Sequence, residues 1–251
     1  MKCTIDDAGG GGVTDRDAGR LGRVTAISTR TVGGRTYRRT PVKTHLVGIG
    51  EELGGVIALY AAEQITPRTT ICLSQKLVSI CTANVRHISE VHDTWLARMI
   101  VKYVTKNDNG DIGYSHPKKM QVAIDEVGYP RMLAAVAGGG FSKLVLRRRG
   151  DFYRIAGHHI AEIDGFNPDA MAPFDQYAML PPPNPDAICD ELAGRFGCAA
   201  YIIDGNNINV EVVGRSANLP LSAADAREVM LDNPMGQGDE LTPIFLIQRD
   251  A

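Results

Sequence analysis

Two aspartates that each close a β-prone run and open onto a glycine carry the most chemistry in this sequence. In "HIAEIDGFNPD" the pair is Asp164-Gly165, with Asn167 three positions after the aspartate. Forty positions later "AYIIDGNNINV" presents Asp204-Gly205, followed by Asn206 and Asn207. Taken singly, Asp-Gly at a strand end is a turn signal, because glycine supplies the positive φ of a tight hairpin. Taken together, the two corners point further. A carboxylate fixed at a strand end, beside a glycine that lets a ligand approach the backbone, suits a hard cation such as Mg²⁺ or Mn²⁺. The asparagine adds a neutral oxygen or an amide donor for a phosphate or ribose. Facing each other across a cleft, such corners could share metal-bound phosphates, as phosphoryl transfer requires.

A third stretch, "NPMGQGDELTPI", places Gly236 and Gly238 around Gln237, so that backbone N–H groups could converge on an anion, with Asp239 and Glu240 as further metal or ribose ligands. Without the other corners it reads as a loop between the last helix and the last strand. There is no G-x-x-x-x-G-K-[ST] stretch, which excludes a conventional phosphate loop. His158-His159 falls in a strand pattern, where one ring points inward and one outward. Arg147, Arg148 and Arg149, with Lys143 and Arg154, read either as a solvated hairpin tip or as a receiver for an anionic acceptor.

The elements that must position these groups alternate without a steady βαβ beat. "RVTAISTRTVGGRTYRRTPVKTHLVGIG" reads as a hairpin about Gly33-Gly34, "GEELGGVIALYAAEQI" as a helix, and "TTICLSQKLVSICTANV" as a strand. "ISEVHDTWLARMIVKYV" puts Ile88, Val91, Trp95, Met99 and Ile100 on one apolar stripe, with Trp95 in the core. "SHPKKMQVAIDEVG" has Ser115 to cap a helix, Pro117 in its first turn and Gly128 at its exit. After it come a small-residue helix, a basic loop and two strands that include "GDFYRIAG". Asn184, Pro185 and Gly197 bracket a helix that feeds the strand "AAYIID". Ser222 and Asp225 cap a last helix before Pro234, and "TPIFLIQ" is the final strand. The pattern predicts an α+β fold with mixed and antiparallel sheets and flanking helices.

With 251 residues and 44% hydrophobic content the chain buries a real core, as one large domain or two modest ones. Lys+Arg 27 against Asp+Glu 29 leaves no global field to recruit nucleic acid or a membrane surface, and aromatic content of 6% argues against an RNA platform. Five cysteines, an odd number without C-x-x-C, and the absence of an apolar signal segment fit a reduced, cytoplasmic protein. Cys72, Cys81, Cys189 and Cys198 read as small buried hydrophobes. No apolar run approaches the roughly 20 residues of a membrane span. Residues 1–20, rich in glycine and aspartate, read as a flexible leader. Residues 21–251 form the main domain, with room for a smaller subdomain within about 75–160.

The stretches "KTHLVGIGEEL", "SQKLVSI", "MQVAIDEVGYPRMLAA", "GDFYRIAG", "EIDGFN", "AYIID" and "DNPMGQGDELTPI", in this order from about Pro41 to Gln248, resemble the coenzyme F-420 gamma-glutamyl ligase family. The resemblance implies a fold peculiar to that family, a homodimer, and a ligase that uses GTP (or ATP) with Mg²⁺ or Mn²⁺. Such an enzyme phosphorylates a carboxylic acid to an acyl phosphate and lets an amino acid's amine displace the phosphate. It further implies metal ligands at Asp164, Asp204 and Gln237, and catalytic roles for Asp164, Asp204 and Lys76. Nucleotide contacts are implied at His45, Leu46, Val47, Gly48, Lys76, Asn167, Gly236, Gln237, Gly238, Asp239 and Glu240. The sequence departs from the pattern after Asp204, where "GNNINVEVVG" replaces a threonine-containing, arginine-rich turn. Asn206 or Asn207 would then complete the second metal's shell, and the incoming amino acid need not be glutamate. The alternatives are the same chemistry on a natural-product acid, or a nucleotide-binding relative without turnover.

Overall fold

The computed structural model describes residues 27–103, 116–144, 151–157, 160, 163–168, 170–205, 210–235 and 240–250. The glycine-rich leader and the histidine pair His158-His159 lie outside the described residues, as does the arginine run Arg147 to Arg149.

In chain order the elements are β1 (Ser28–Val32), β2 (Arg35–Val42), α1 (Leu53–Ala61), β3 (Thr69–Ser74), α2 (Gln75–Cys81), β4 (Val85–His87), α3 (Trp95–Tyr103), α4 (Pro117–Val127), α5 (Tyr129–Leu144), α6 (Asp151–Ala156), β5 (Asp164–Gly165), β6 (Tyr177–Met179), α7 (Pro185–Phe196), β7 (Ala199–Gly205), β8 (Val210–Arg215), α8 (Ala223–Val229) and β9 (Ile244–Arg249). Six strands form one mixed sheet in the order β1-β2-β9-β3-β7-β8, in which only β3 and β7 run parallel. Strands β4-β6-β5 form a second, antiparallel sheet. The architecture is α+β, a mixed sheet with helices on its flanks.

Each face of the large sheet supports a core, as strands with little polar alternation demand. One face joins Ile71, Leu73, Ala200, Ile202, Ile244 and Leu246 to Ile57 and Tyr60 of α1, Leu77 and Val78 of α2, and Cys189 and Leu192 of α7. The other face packs Cys72, Tyr201, Ile203, Phe245 and Ile247 against Ala226, Val229 and Met230 beside α8. A further core forms among α3, α4, α5 and α6, where Leu96, Ile100, Met120, Ile124, Met132 and Ala156 meet Ile163, Phe166, Ala178 and Leu180.

Several local rules hold as the sequence has them. Gly33 and Gly34 take φ of 56° and 75° in the β1–β2 turn, Gly128 and Gly197 close α4 and α7 with positive φ, and Ser222 Oγ accepts the Asp225 N–H. Three readings are corrected. "TTICLSQKLVSICTANV" is a strand only to Ser74 and then turns into α2, because Leu77, Val78 and Ile80 bury themselves at helical spacing. "GDFYRIAG" forms α6 rather than a strand, laid against α5, where Phe152 sits so close to Gly139 that a Cβ there would lie 2.9 Å from it. The stripe through Ile88, Val91, Trp95, Met99 and Ile100 is only partly right: Val91 and Ile100 are buried, but α3 begins only at Trp95, which is 72% exposed, Met99 is exposed, and Leu96 and Ala97 are buried in their place. Thr94 sets that start, since its N–H and hydroxyl both donate to Gln121 Oε1 of α4.

Candidate functional site

β3 and β7 are parallel neighbours, and Ser74 lies opposite Ile203, so both strands end at the same edge of the sheet. Asp204 is the next-to-last residue of β7, and α2 leaves β3 at the same edge with Lys76 in its first turn. The crevice outside the carboxyl ends of parallel strands is where open α/β sheets bind ligands. Asp164 arrives from the second sheet, where β5 pairs with β6 and sets Asp164 opposite Met179. The two predicted corners therefore meet, with Asp164, Asn167, Asp204 and Lys76 lining one cleft of about 210 Å³.

Gly165 matters here for packing. Its φ is +143°, and a Cβ would lie 2.3 Å from Ala178 Cα, so only glycine lets β5 come this close to β6. The sequence reading gave that glycine to ligand approach; the neighbouring strand takes it instead.

Electrostatics separate the two carboxylates. Burial acts to raise the Asp164 pKa, but Lys76 and Lys119 together outweigh it and hold the group below the usual carboxylate range. Lys76 Nζ stands 2.5 Å from Asp164 Oδ2. Asp204 goes the other way: burial first, then the charges of Asp164 and Glu211, push it up to about 6 against the pull of Lys76. Two like charges share a half-buried site, and their environments drive their proton affinities apart.

The loop after β2 forms the opposite wall with Thr44, His45, Leu46 and Val47. It is braced from within. His45 Nδ1 lies 2.8 Å from the Tyr60 hydroxyl and Nε2 lies 2.9 Å from Glu51 Oε2. The Gly48 N–H donates to Glu51 Oε1, so Glu51 engages the amide that the resemblance assigns to a nucleotide. Glu240 lines the same cleft beside Thr242 and Pro243. Gly236, Gln237, Gly238 and Asp239 lie outside the described residues, as do Asn206 and Asn207.

Several contributors escaped the sequence reading. Glu51 is legible only as a carboxylate three residues after a glycine turn. Lys119 is 4% exposed and acts on Asp164 from α4, a relation no spacing encodes. Asn233 lines the cleft next to Asp204 and Gly205, and Leu77, Ile80, Phe174 and Met179 give it an apolar wall.

No protein-family model matches the sequence, and no curated protein matches it with significance. Among the described residues no three His, Cys, Asp or Glu side chains are grouped to hold a metal ion, and no helix is long and apolar enough to cross a membrane. The described lining nevertheless offers the donor chemistry of a hard cation: the carboxylates of Asp164, Asp204 and Glu240, the amide of Asn167 and hydroxyls, beside the thioethers of Met171, Met179 and Met235, which a hard cation does not favour. Asp164 and Asp204 are the residues that would hold a divalent cation on that ground, and Gln237 of the resemblance lies outside the described residues.

Proposed function

We propose that this chain is a nucleotide- and divalent-metal-dependent ligase that converts a carboxylic acid to its acyl phosphate and joins it to an amino acid's amine, as in the coenzyme F-420 gamma-glutamyl ligase family it resembles. One observation carries the reading: Asp164 and Asp204, from different sheets, line one cleft with Lys76 between their charges.

A carboxylate is a poor acyl donor until its oxygen becomes a phosphate leaving group, and the approach of one anion to another needs positive charge between them. Bound Mg²⁺ or Mn²⁺ would supply most of that charge at the triphosphate of GTP or ATP. Asp164 and Asp204 would hold the ion, and Lys76 first, then Lys119, keep Asp164 ionised. Lys76, on the flexible end of a half-exposed side chain, would reach the transferred phosphate. Asn167 would orient the nucleotide, and the braced His45–Gly48 loop would close over it. Phe174, Leu77 and Ile80 exclude water from the acyl phosphate once it forms. Catalysis is then positioning plus electrostatics, with no Ser-His-Asp or Cys-His nucleophile. The apolar wall favours an acid with an apolar body, that is, the same chemistry on a natural-product acid. The working unit we propose is a cytoplasmic homodimer.

The test is orthophosphate release from GTP and ATP with Mn²⁺ or Mg²⁺ across a panel of acids and amino acids. Release that requires both acid and amine supports ligation. Formation of AMP would replace the acyl phosphate with an adenylate, and no turnover across the panel would refute ligation.

A further inference from the structure

Asn233 stands where a ligand's anion would meet the Asp204 corner. Its backbone is pinned: the preceding residue, Asp232, takes two hydrogen bonds from Arg39, a guanidinium in a side chain only 3% exposed, and Arg39 also donates to Val229 O. Asn233 itself has φ +44°, a left-handed conformation that asparagine tolerates better than most residues, and its N–H donates to Met230 O. The side chain is thereby set on the cleft wall against Gly205. A Cβ built on Gly205 would lie 3.2 Å from Asn233 Oδ1 and 3.5 Å from Cγ. The amide nitrogen Nδ2 is buried and has no hydrogen-bond partner among the described residues.

A buried N–H donor without an acceptor is unfavourable, and native proteins keep few of them. This one lies beside a carboxylate it does not bind. A cation held at Asp204 would bring an anion to this donor. The terminal torsion of asparagine is soft, so a small rotation carries Nδ2 toward the cleft. A neutral donor suits the place, since it adds no charge to a site already balanced by Lys76 and Lys119.

We infer that Asn233 is a ligand-binding residue whose amide donates to an oxygen of the metal-bound phosphate chain at Asp204. This rests on the ligase reading, in that it supplies the nucleotide to be held. Asn233→Gly removes the amide while accepting the left-handed backbone, and Asn233→Asp keeps the shape but replaces the donor with an anion. Both are compared with the native chain by titration calorimetry, using Mn²⁺ alone, inorganic triphosphate with Mn²⁺, and GTP and ATP with Mn²⁺. Loss of one hydrogen bond to a charged oxygen should weaken triphosphate and both nucleotides about 10- to 100-fold in Asn233→Gly, and more in Asn233→Asp. The affinity of Asn233→Gly for Mn²⁺ alone should stay native. Native affinity of both variants for triphosphate overturns the inference while the ligase reading stands. Loss confined to GTP or ATP moves the contact to base or ribose and also overturns it. A native chain that binds neither nucleotide nor triphosphate with Mn²⁺ sinks both.

Discussion

Asp204→Asn should make the metal-free protein more stable and abolish the proposed ligation. The folded state raises this carboxyl from 3.8 to about 6, through burial and then the charge of Asp164. A raised folded pKa means that the contribution of the group to stability is complete below its unfolded value. It is lost as pH climbs through the folded value, so the window runs from about 4 to 6. At 1.36 kcal/mol per pH unit the full shift corresponds to roughly 3 kcal/mol. The half-buried position and coupling to Asp164 reduce this to about 1–2 kcal/mol, or about 2–8 °C in melting temperature for a chain of this size. Melts of native and variant protein without metal should coincide near pH 4, separate as pH rises to 6, and keep a constant gap above it, the variant melting higher. Excess Mn²⁺ should reverse the order, because binding at 100 times Kd adds about 2.7 kcal/mol to the native chain alone. A variant that melts lower than native at pH 8 without metal, or a gap independent of pH, would refute the argument that Asp164 and burial jointly disfavour the charge. Retention of near-native ligation would remove Asp204 from the cation site.

Other outcomes follow from packing and pairing. Asp232→Ala should lower stability by about 2 kcal/mol by leaving buried Arg39 without its paired acceptor. Arg39 holds the Asp232 pKa down, so the native advantage is present above the usual carboxylate pKa and is lost as pH falls below it, which acid titration of both melts would reveal. Trp95→Ala should stay within about 0.5 kcal/mol of native, whereas Leu96→Ala should lose about 2–5 kcal/mol; urea unfolding that ranks them in reverse would put the phase of α3 in error. Gly165→Ala should cost more than about 3 kcal/mol, given a Cβ 2.3 Å from Ala178 Cα and a φ of +143°. Gly194→Ala, in α7 with nothing within 4 Å, should instead gain about 0.5–1 kcal/mol, so the two melting shifts should differ in sign.

The readable parts of this fold are those governed by neighbours in sequence. The Gly33-Gly34 turn, the Ser222 cap and the Gly128 and Gly197 exits depend on local backbone rules, and each is where the residue types put it. The same holds for Asp164 and Asp204, whose meeting was the one long-range expectation that strand-end placement supported. Legibility failed where distant packing chose between two local options. Gln75 to Cys81 is apolar enough for a strand or a helix, and the choice fell to the core shared with α1 and α7. The phase of α3 depends on Thr94 meeting Gln121 from another helix. Lys119 and Asn233 carry no signature at all, since one acts by its charge from a different element and the other through a donor without a partner among the described residues.

Strand β6 explains why the cleft and the helical core are one system. Its residues alternate: Ala178 and, just beyond the strand, Leu180 enter the core of α3 to α6, while Met179 between them enters the core under the large sheet. A strand with both faces buried has no freedom to slip, because a shift of one residue exchanges its faces. Asp164 lies opposite Met179 in that fixed register, so its distance from Asp204 on β7 is set by two cores at once. The carboxylates cannot relax apart to relieve their repulsion. The unfavourable features then collect on a few residues: a raised carboxyl at Asp204, and at Asn233 a left-handed backbone and a donor without a partner among the described residues. Such local conflicts, held in place by packing elsewhere, are what the proposed site for a cation and its anion would require.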